Sequence, residues 1–227
     1  MKSNITAALT ALLLAALTLT PAASVQASVV ILANNTGNTE FNTAFTTNSD
    51  WQAQAFTTTA TGYTLTDVAL LLSNSTATTG TFDLSIYDST GTDSSPGAKV
   101  ADVRTGINAA TIDLTTMLYD VPGLSISLSP GTQYYLAVTA TNLIGTGTYG
   151  IEWSYTDITT GTGFPSAYSY SHDGGATWNN PPDFANPSMM RIQAETTAVP
   201  EPSTYALLGI SLAVVGYARR RMVNGEV

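Results

Sequence analysis

The chain predicts an all-β fold, a jelly-roll-like β-sandwich flanked by an N-terminal signal peptide and a single C-terminal hydrophobic helix. Two observations predict the sandwich. Short apolar or alternating runs recur along the chain between clusters of Gly, Pro, Asn, Ser and Thr, the spacing of strands between turns. A helical 3.6-residue periodicity is hard to find between the two ends. A third observation sets the boundaries: each end carries an apolar run with charged or proline punctuation beside it.

At the N-terminus, Met1-Lys2 forms a minimal positive region, Leu9 to Leu19 an apolar core, and Val25-Gln26-Ala27 a small-residue cleavage site. This is the pattern of a secretory signal peptide cut after Ala27, handled by the Sec machinery. The apolar run ends at Thr20-Pro21, too short for a permanent anchor. Residues 28–198 then form one domain by length. Its longest strand candidate is Gly62 to Leu72, whose continuous apolar end implies burial on both faces. Phe82, Leu84 and Ile86 alternate with Asp83, Ser85 and Tyr87 as in a one-faced strand, and Tyr134, Leu136 and Val138 repeat the pattern, as do Ile151, Trp153 and Tyr155. Shorter candidates are Val29 to Leu32, Gln54 to Thr57, Lys99 to Val103, Leu124 to Leu128 and Met189 to Gln193. Segments 73–80, 89–97 and 157–163 read as Thr/Ser/Gly surface loops. Asn34-Asn35-Thr36 and Asn74-Ser75-Thr76 fit the N-glycosylation triplet.

Charge excludes one class of partner. The chain holds 7 basic and 16 acidic side chains, a net charge of −9, and the only basic residues of 28–198 are Lys99, Arg104 and Arg191. Nucleic acid needs clustered cations to neutralise its phosphates, so it is not a partner. There is no cysteine, so packing alone holds an exported domain together.

Residues 51–58, 65–71, 82–87, Ser95-Pro96-Gly97 and 128–135 resemble the choice-of-anchor domains, of the type R group. That resemblance implies an exported β-rich module without catalytic activity, working at the surface or outside the cell.

Ser171-His172-Asp173-Gly174-Gly175-Ala176-Thr177-Trp178 resembles the Asp-box of sialidase propellers. Its chemistry is that of a hairpin staple: Asp173 bonds backbone amides, the glycines including Gly175 allow the turn, and Ser171, Thr177 and Trp178 complete it. A sialidase would also need several arginines to grip the sugar carboxylate, and the domain has two. His172 is the only histidine. No Gly-x-Ser-x-Gly elbow exists to give it a nucleophile, and one histidine without cysteine makes no zinc site. It reads as an exposed turn residue. Acids such as Asp67, Asp83 and Asp113 alternate with apolar neighbours as solvent-facing residues do, so no glycosidase pair can be singled out. The domain is therefore expected to be no enzyme and to need no cofactor. Asp88 to Asp93 and Asp173 to Asp183 could offer oxygens to Ca²⁺, although no Asp-x-Asp-x-Asp-Gly loop appears, so a metal remains unassigned. Trp153, Tyr155, Phe164, Tyr168, Tyr170 and Trp178 gather in the last third, as core aromatics or as a sugar platform. Tyr168, Tyr170 and Trp178 are the candidate sugar contacts, with Tyr168 and Tyr170 on one face of their strand.

The C-terminal 199–227 segment joins three devices. Val199-Pro200-Glu201-Pro202 disfavours helix, a hydrophobic helix is expected over 203–218, and Arg219-Arg220-Arg221 stops transfer. From Tyr205 to Ala218 such a helix is roughly 21 Å long against a bilayer core of about 30 Å, which suits a transient anchor better than a permanent one. This order resembles the PEP-CTERM sorting signal. The resemblance implies delivery to exosortase, a membrane-embedded enzyme, with a transient stay in the inner membrane of a Gram-negative bacterium. Two functions stay open for the body. One is a structural or adhesive role at the cell surface or in the extracellular matrix of a biofilm; the other is a carbohydrate-binding module acting on exopolysaccharide, with a glycosidase weaker still.

Overall fold

The computed structural model describes residues 27–59, 62–147, 149–163, 167–181 and 186–196. The signal peptide, the hydrophobic helix and the sorting motif lie outside them, apart from Ala27. Residues Ala27–Thr197 form one compact unit. It is built from eleven strands: β1 (Val29–Asn34), β2 (Asn42–Thr46), β3 (Trp51–Thr57), β4 (Tyr63–Ser75), β5 (Thr81–Asp88), β6 (Lys99–Asn108), β7 (Met117–Leu128), β8 (Gln133–Ala140), β9 (Gly150–Tyr155), β10 (Tyr168–Ser171) and β11 (Met190–Thr196). All pairings are antiparallel. The first sheet runs β1-β11-β4-β9-β2, with β7 on the other edge of β4; the second runs β10-β3-β8-β5-β6.

The long β4 organises the first sheet. Along one edge it pairs with β7 from Tyr63 to Leu72. Along the other, β11 takes Tyr63 to Leu70 and β9 takes Leu72 to Ser75. A register shift between Leu65 and Asp67, opposite Pro122 and Gly123 of β7, changes which residues face inward: Tyr63 and Leu65 before it, Val68, Leu70 and Leu72 after it, all buried. Proline lacks a ladder donor and Gly123 sits at φ +75°, so this pair belongs at a bulge on an edge strand. Against these pack Phe82, Leu84 and Ile86 of β5, Leu136 and Val138 of β8, and Trp153, whose indole N–H donates to Met189 O at 2.9 Å.

Three expectations need correction. β5 and β8 are not one-faced. Ser85, Tyr135, Ala137 and Thr139 are buried as well, because loops cover the outer side of the second sheet. Asn74 is no glycosylation acceptor in the folded domain: it is 4% exposed, and its amide donates to Thr78 O and Ala109 O, both at 2.9 Å. Strand β2 lies where the sequence reads as polar, β10 is as short as the Tyr168–Tyr170 alternation implies, and β6 and β7 extend well beyond the short runs expected of them.

Candidate functional site

The Asp-box forms a hairpin on β10. Tyr170 and Asn179 exchange backbone hydrogen bonds of 3.1 and 2.8 Å, closing the loop that holds Ser171 to Trp178. Inside it, Asp173 Oδ1 accepts from Thr177 N and from Ser171 Oγ, both at 2.8 Å, and Oδ2 accepts from Thr177 Oγ1 at 2.7 Å. Ser171 Oγ accepts from Gly175 N at 2.8 Å. These donors, Thr177 N–H foremost, hold the Asp173 carboxyl down at about 2. Gly175, at φ +83°, is required twice over, since a Cβ there would stand 2.3 Å from Trp51 Cζ3.

The hairpin sets Trp178 over the outer face of the second sheet. Successive strand residues face opposite ways, so Trp51, Ala53 and Ala55 of β3 and Tyr135 and Ala137 of β8 turn outward while Phe56 and Leu136 enter the main core. The Trp178 ring lies 6.4 Å from Trp51 and 6.1 Å from Tyr87, and it packs with Ala53, Ala55, Tyr135 and Ala137 as a second, smaller core. The β5–β6 loop completes the roof: Tyr135 OH donates to Ser94 O at 2.9 Å, and Asn180 Nδ2 donates to Asp93 O at 3.0 Å. Burial pushes the Tyr87 phenol above its ordinary range.

Tyr168 and Tyr170 sit on the opposite, inner face. Their register partners on β3 are Gln54 and Gln52, and both glutamines are buried. The rings of Tyr168 and Tyr170 are 6.1 Å apart, so they do share a face. Tyr168 is only 6% exposed, its hydroxyl donates to Gln52 Oε1, and burial pushes its pKa up. The three candidate sugar contacts therefore do not form one platform. Trp178 packs half-buried on the outer core, Tyr168 belongs to the interior, and Tyr170 is half-buried on the inner face, beside His172 at a ring separation of 4.9 Å.

His172 is exposed, as expected of a turn residue, yet it is anchored: its Nδ1 lies 2.6 Å from Asp50 Oδ1. Asp50 in turn accepts from Thr47 Oγ1 at 2.6 Å, and Ser49 O accepts from Gly174 N at 2.9 Å, so the β2–β3 turn buttresses the hairpin. Burial raises the Asp50 carboxyl pKa, but hydrogen bonds from Thr47, His172 and Ser49 outweigh it and leave the group below its ordinary 3.8. Asp50 stands 122 positions before His172, a separation that hides the pairing from any reading of local motifs.

The remaining acids are mostly committed. Asp67 and Asp120 share Arg191, at 2.8 and 3.1 Å, across three adjacent strands of the first sheet. Burial, then the neighbouring Asp67, pushes the Asp120 carboxyl up. Asp83 Oδ1 accepts from Gly106 N at 2.7 Å on the second sheet. Asp88 Oδ1 accepts from Thr90 N, Thr90 Oγ1 and Ala98 N. Among the described residues no group of three or more His, Cys, Asp or Glu could hold a metal ion; Asp183 lies outside them.

Ala27, the expected cleavage position, is exposed and immediately precedes Ser28, whose carbonyl accepts from Thr196 N at 3.1 Å. The two ends of the sandwich thus leave it side by side. Val199, Pro200, Glu201, Pro202 and Arg219, Arg220 and Arg221 lie outside the described residues. No curated protein matches the chain. The comparisons give no support to the resemblance of the body to choice-of-anchor domains. Residues 198–221, however, match the family described as the PEP-CTERM protein-sorting motif, and that motif marks the chain as an extracellular protein, sorted by exosortase and processed at the cell envelope.

Proposed function

We propose that this protein is a non-enzymatic structural or adhesive component of the cell surface or extracellular polymer layer of a Gram-negative bacterium. Its signal peptide, cut after Ala27, hands it to the Sec machinery, and the apolar segment at 203–218 holds it transiently in the inner membrane for exosortase. The observation that carries this reading is the sorting motif at 198–221, placed directly after a folded sandwich that ends at Thr196. The interleaving of the sheets supports a jelly roll for the body. Numbering β1, β3, β4, β5, β6, β7, β8 and β11 from one to eight gives sheet orders 1-8-3-6 and 2-7-4-5, the order of two nested Greek keys, with β2, β9 and β10 added at the margins. The acidic balance supports an exported, mutually repelling surface module.

The test is the C-terminus of the exported protein. Mass spectrometry should find it cut before Arg219, and replacing Pro200, Glu201 and Pro202 with alanine should leave uncut protein in the inner membrane. An exported form that ends intact at Val227 in cells with active exosortase overturns the reading.

A further inference from the structure

On one side of the sandwich the margins of the two sheets meet: β2 closes the first and β10 the second, and Gln52 of β3 donates to Phe45 O of β2 at 2.7 Å. Aromatic side chains gather there from both. Tyr155 lies two residues beyond the buried Trp153 and shares its inward face. Phe41, 59% exposed, sets its ring 6.1 Å from that of Tyr155. From the facing sheet come Tyr168 and Tyr170, their rings 6.1 Å apart; Tyr168 donates to the same Gln52 that bonds Phe45 O, and Tyr155 forms a β-bridge with Ser188, whose N–H donates to Oε1 of Gln54, the register partner of Tyr168. The His172 ring, 4.9 Å from Tyr170, continues the row and is fixed by Asp50. The members are 168 to 172 from one margin and 41 and 155 from the other, brought together by the fold alone.

We propose that this row binds a neutral polysaccharide, a site that rests on the surface role above and gives it a molecular target. The choice of ligand follows from the chemistry. Phe41, Tyr155 and Tyr170 are partly open rings, suited to the apolar C–H face of a sugar, and the exposed His172 imidazole beside Tyr170 supplies a partner for its hydroxyls. His172 Nδ1 is committed to Asp50, and its Nε2 has no partner among the described residues, so it stands ready for a sugar hydroxyl. A uronate or sulfate would instead meet the Asp50 carboxylate on a protein of net charge −9. Lys99 and Arg191, two of the three cations of the domain, are already paired with carboxylates elsewhere. A peptide partner would gain nothing from this arrangement of isolated rings that an unbroken apolar groove would not give better.

The experiment is affinity electrophoresis of the exported protein through gels holding barley mixed-linkage β-glucan, laminarin or galactomannan, with alginate as the anionic comparison. At least one neutral polymer should retard the wild type and alginate should not. Phe41→Ala and Tyr170→Ala should each weaken retardation by about tenfold, while Trp178→Phe, on the other side of the second sheet, leaves it unchanged. Thermal melts accompany every variant. Phe41 and His172 are exposed, so if Tyr170→Ala unfolds, Phe41→Ala and His172→Ala decide the matter. Absence of retardation by all three neutral polymers, a preference for alginate, or full retardation of folded Phe41→Ala and His172→Ala overturns the site. Protein that is exported and trimmed but binds no glycan sinks this inference alone, whereas protein that keeps its C-terminus sinks the sorting reading itself.

Discussion

The carboxylate of Asp173 is held by donors no more than four residues away, so its perturbation is a property of the turn and not of the domain. A carboxyl whose folded pKa is depressed stabilises above its ordinary value and loses that contribution as pH falls through the folded one. With the pair at 3.8 and about 2, the stability gap between wild type and Asp173→Ala should be full above about pH 4 and should narrow towards pH 2. Urea melts at stepped pH read this; a gap that stays constant down to pH 2 would mean that the side chain contributes through packing instead. Trp178 is half-buried against Trp51 and Tyr87, so Trp178→Ala should cost about 2 kcal/mol, short of the 3 to 5 of a fully buried ring. A variant as stable as wild type would show the ring to be idle in the fold. The turn was legible in the sequence because the bonds of Ser171 and Asp173 within it are local. The face on which Trp178 lands was not, because it depends on the register of β10 against β3.

At the scale of elements, what the sequence concealed has physical reasons. β2 reads Asn-Thr-Ala-Phe-Thr, polar enough for a loop; it becomes a strand because β9 supplies a complete ladder from Asn42 to Thr46. β10 is four residues long and is held by β3 on one edge and Asn179 on the other. Pro122-Gly123 looks like the end of a strand, which hid the first half of β7, although on an edge strand the pair makes only a bulge. β4, by contrast, announces itself through length and continuous apolarity. Within the hairpin, two adjacent glycines separate conformational from steric demand. Gly174, at φ +66°, has its nearest neighbour 3.7 Å from a notional Cβ, so Gly174→Ala pays only for a left-handed backbone, about 1 kcal/mol. Gly175→Ala must also displace the Trp51 ring and should cost at least about 2 kcal/mol. Equal losses in denaturant melts would mean that Trp51 moves aside freely.

At the scale of the molecule, the alternation of apolar and polar residues made the sandwich legible, and the tail made the sorting legible, while the aromatic row stayed hidden because its members are far apart in the chain. The position of β11 carries a mechanical consequence. It lies between β1 and β4, paired with the first from Arg191 to Glu195 and with the second from Met190 to Thr196, and it is the strand from which the chain runs on into the sorting segment. Tension drawn through Thr196 along that strand loads two antiparallel ladders in shear at once, and every bond must yield nearly together. A strand at the margin, held on one side, would give way at lower load. Val30→Pro removes a donor from β1, so under single-molecule pulling from the C-terminus it should lower the rupture force while leaving β4's ladder intact. An unchanged force would assign the resistance to β4 alone. The strand that leads out to the sorting segment is thus held on both sides, where a marginal strand would be held on one.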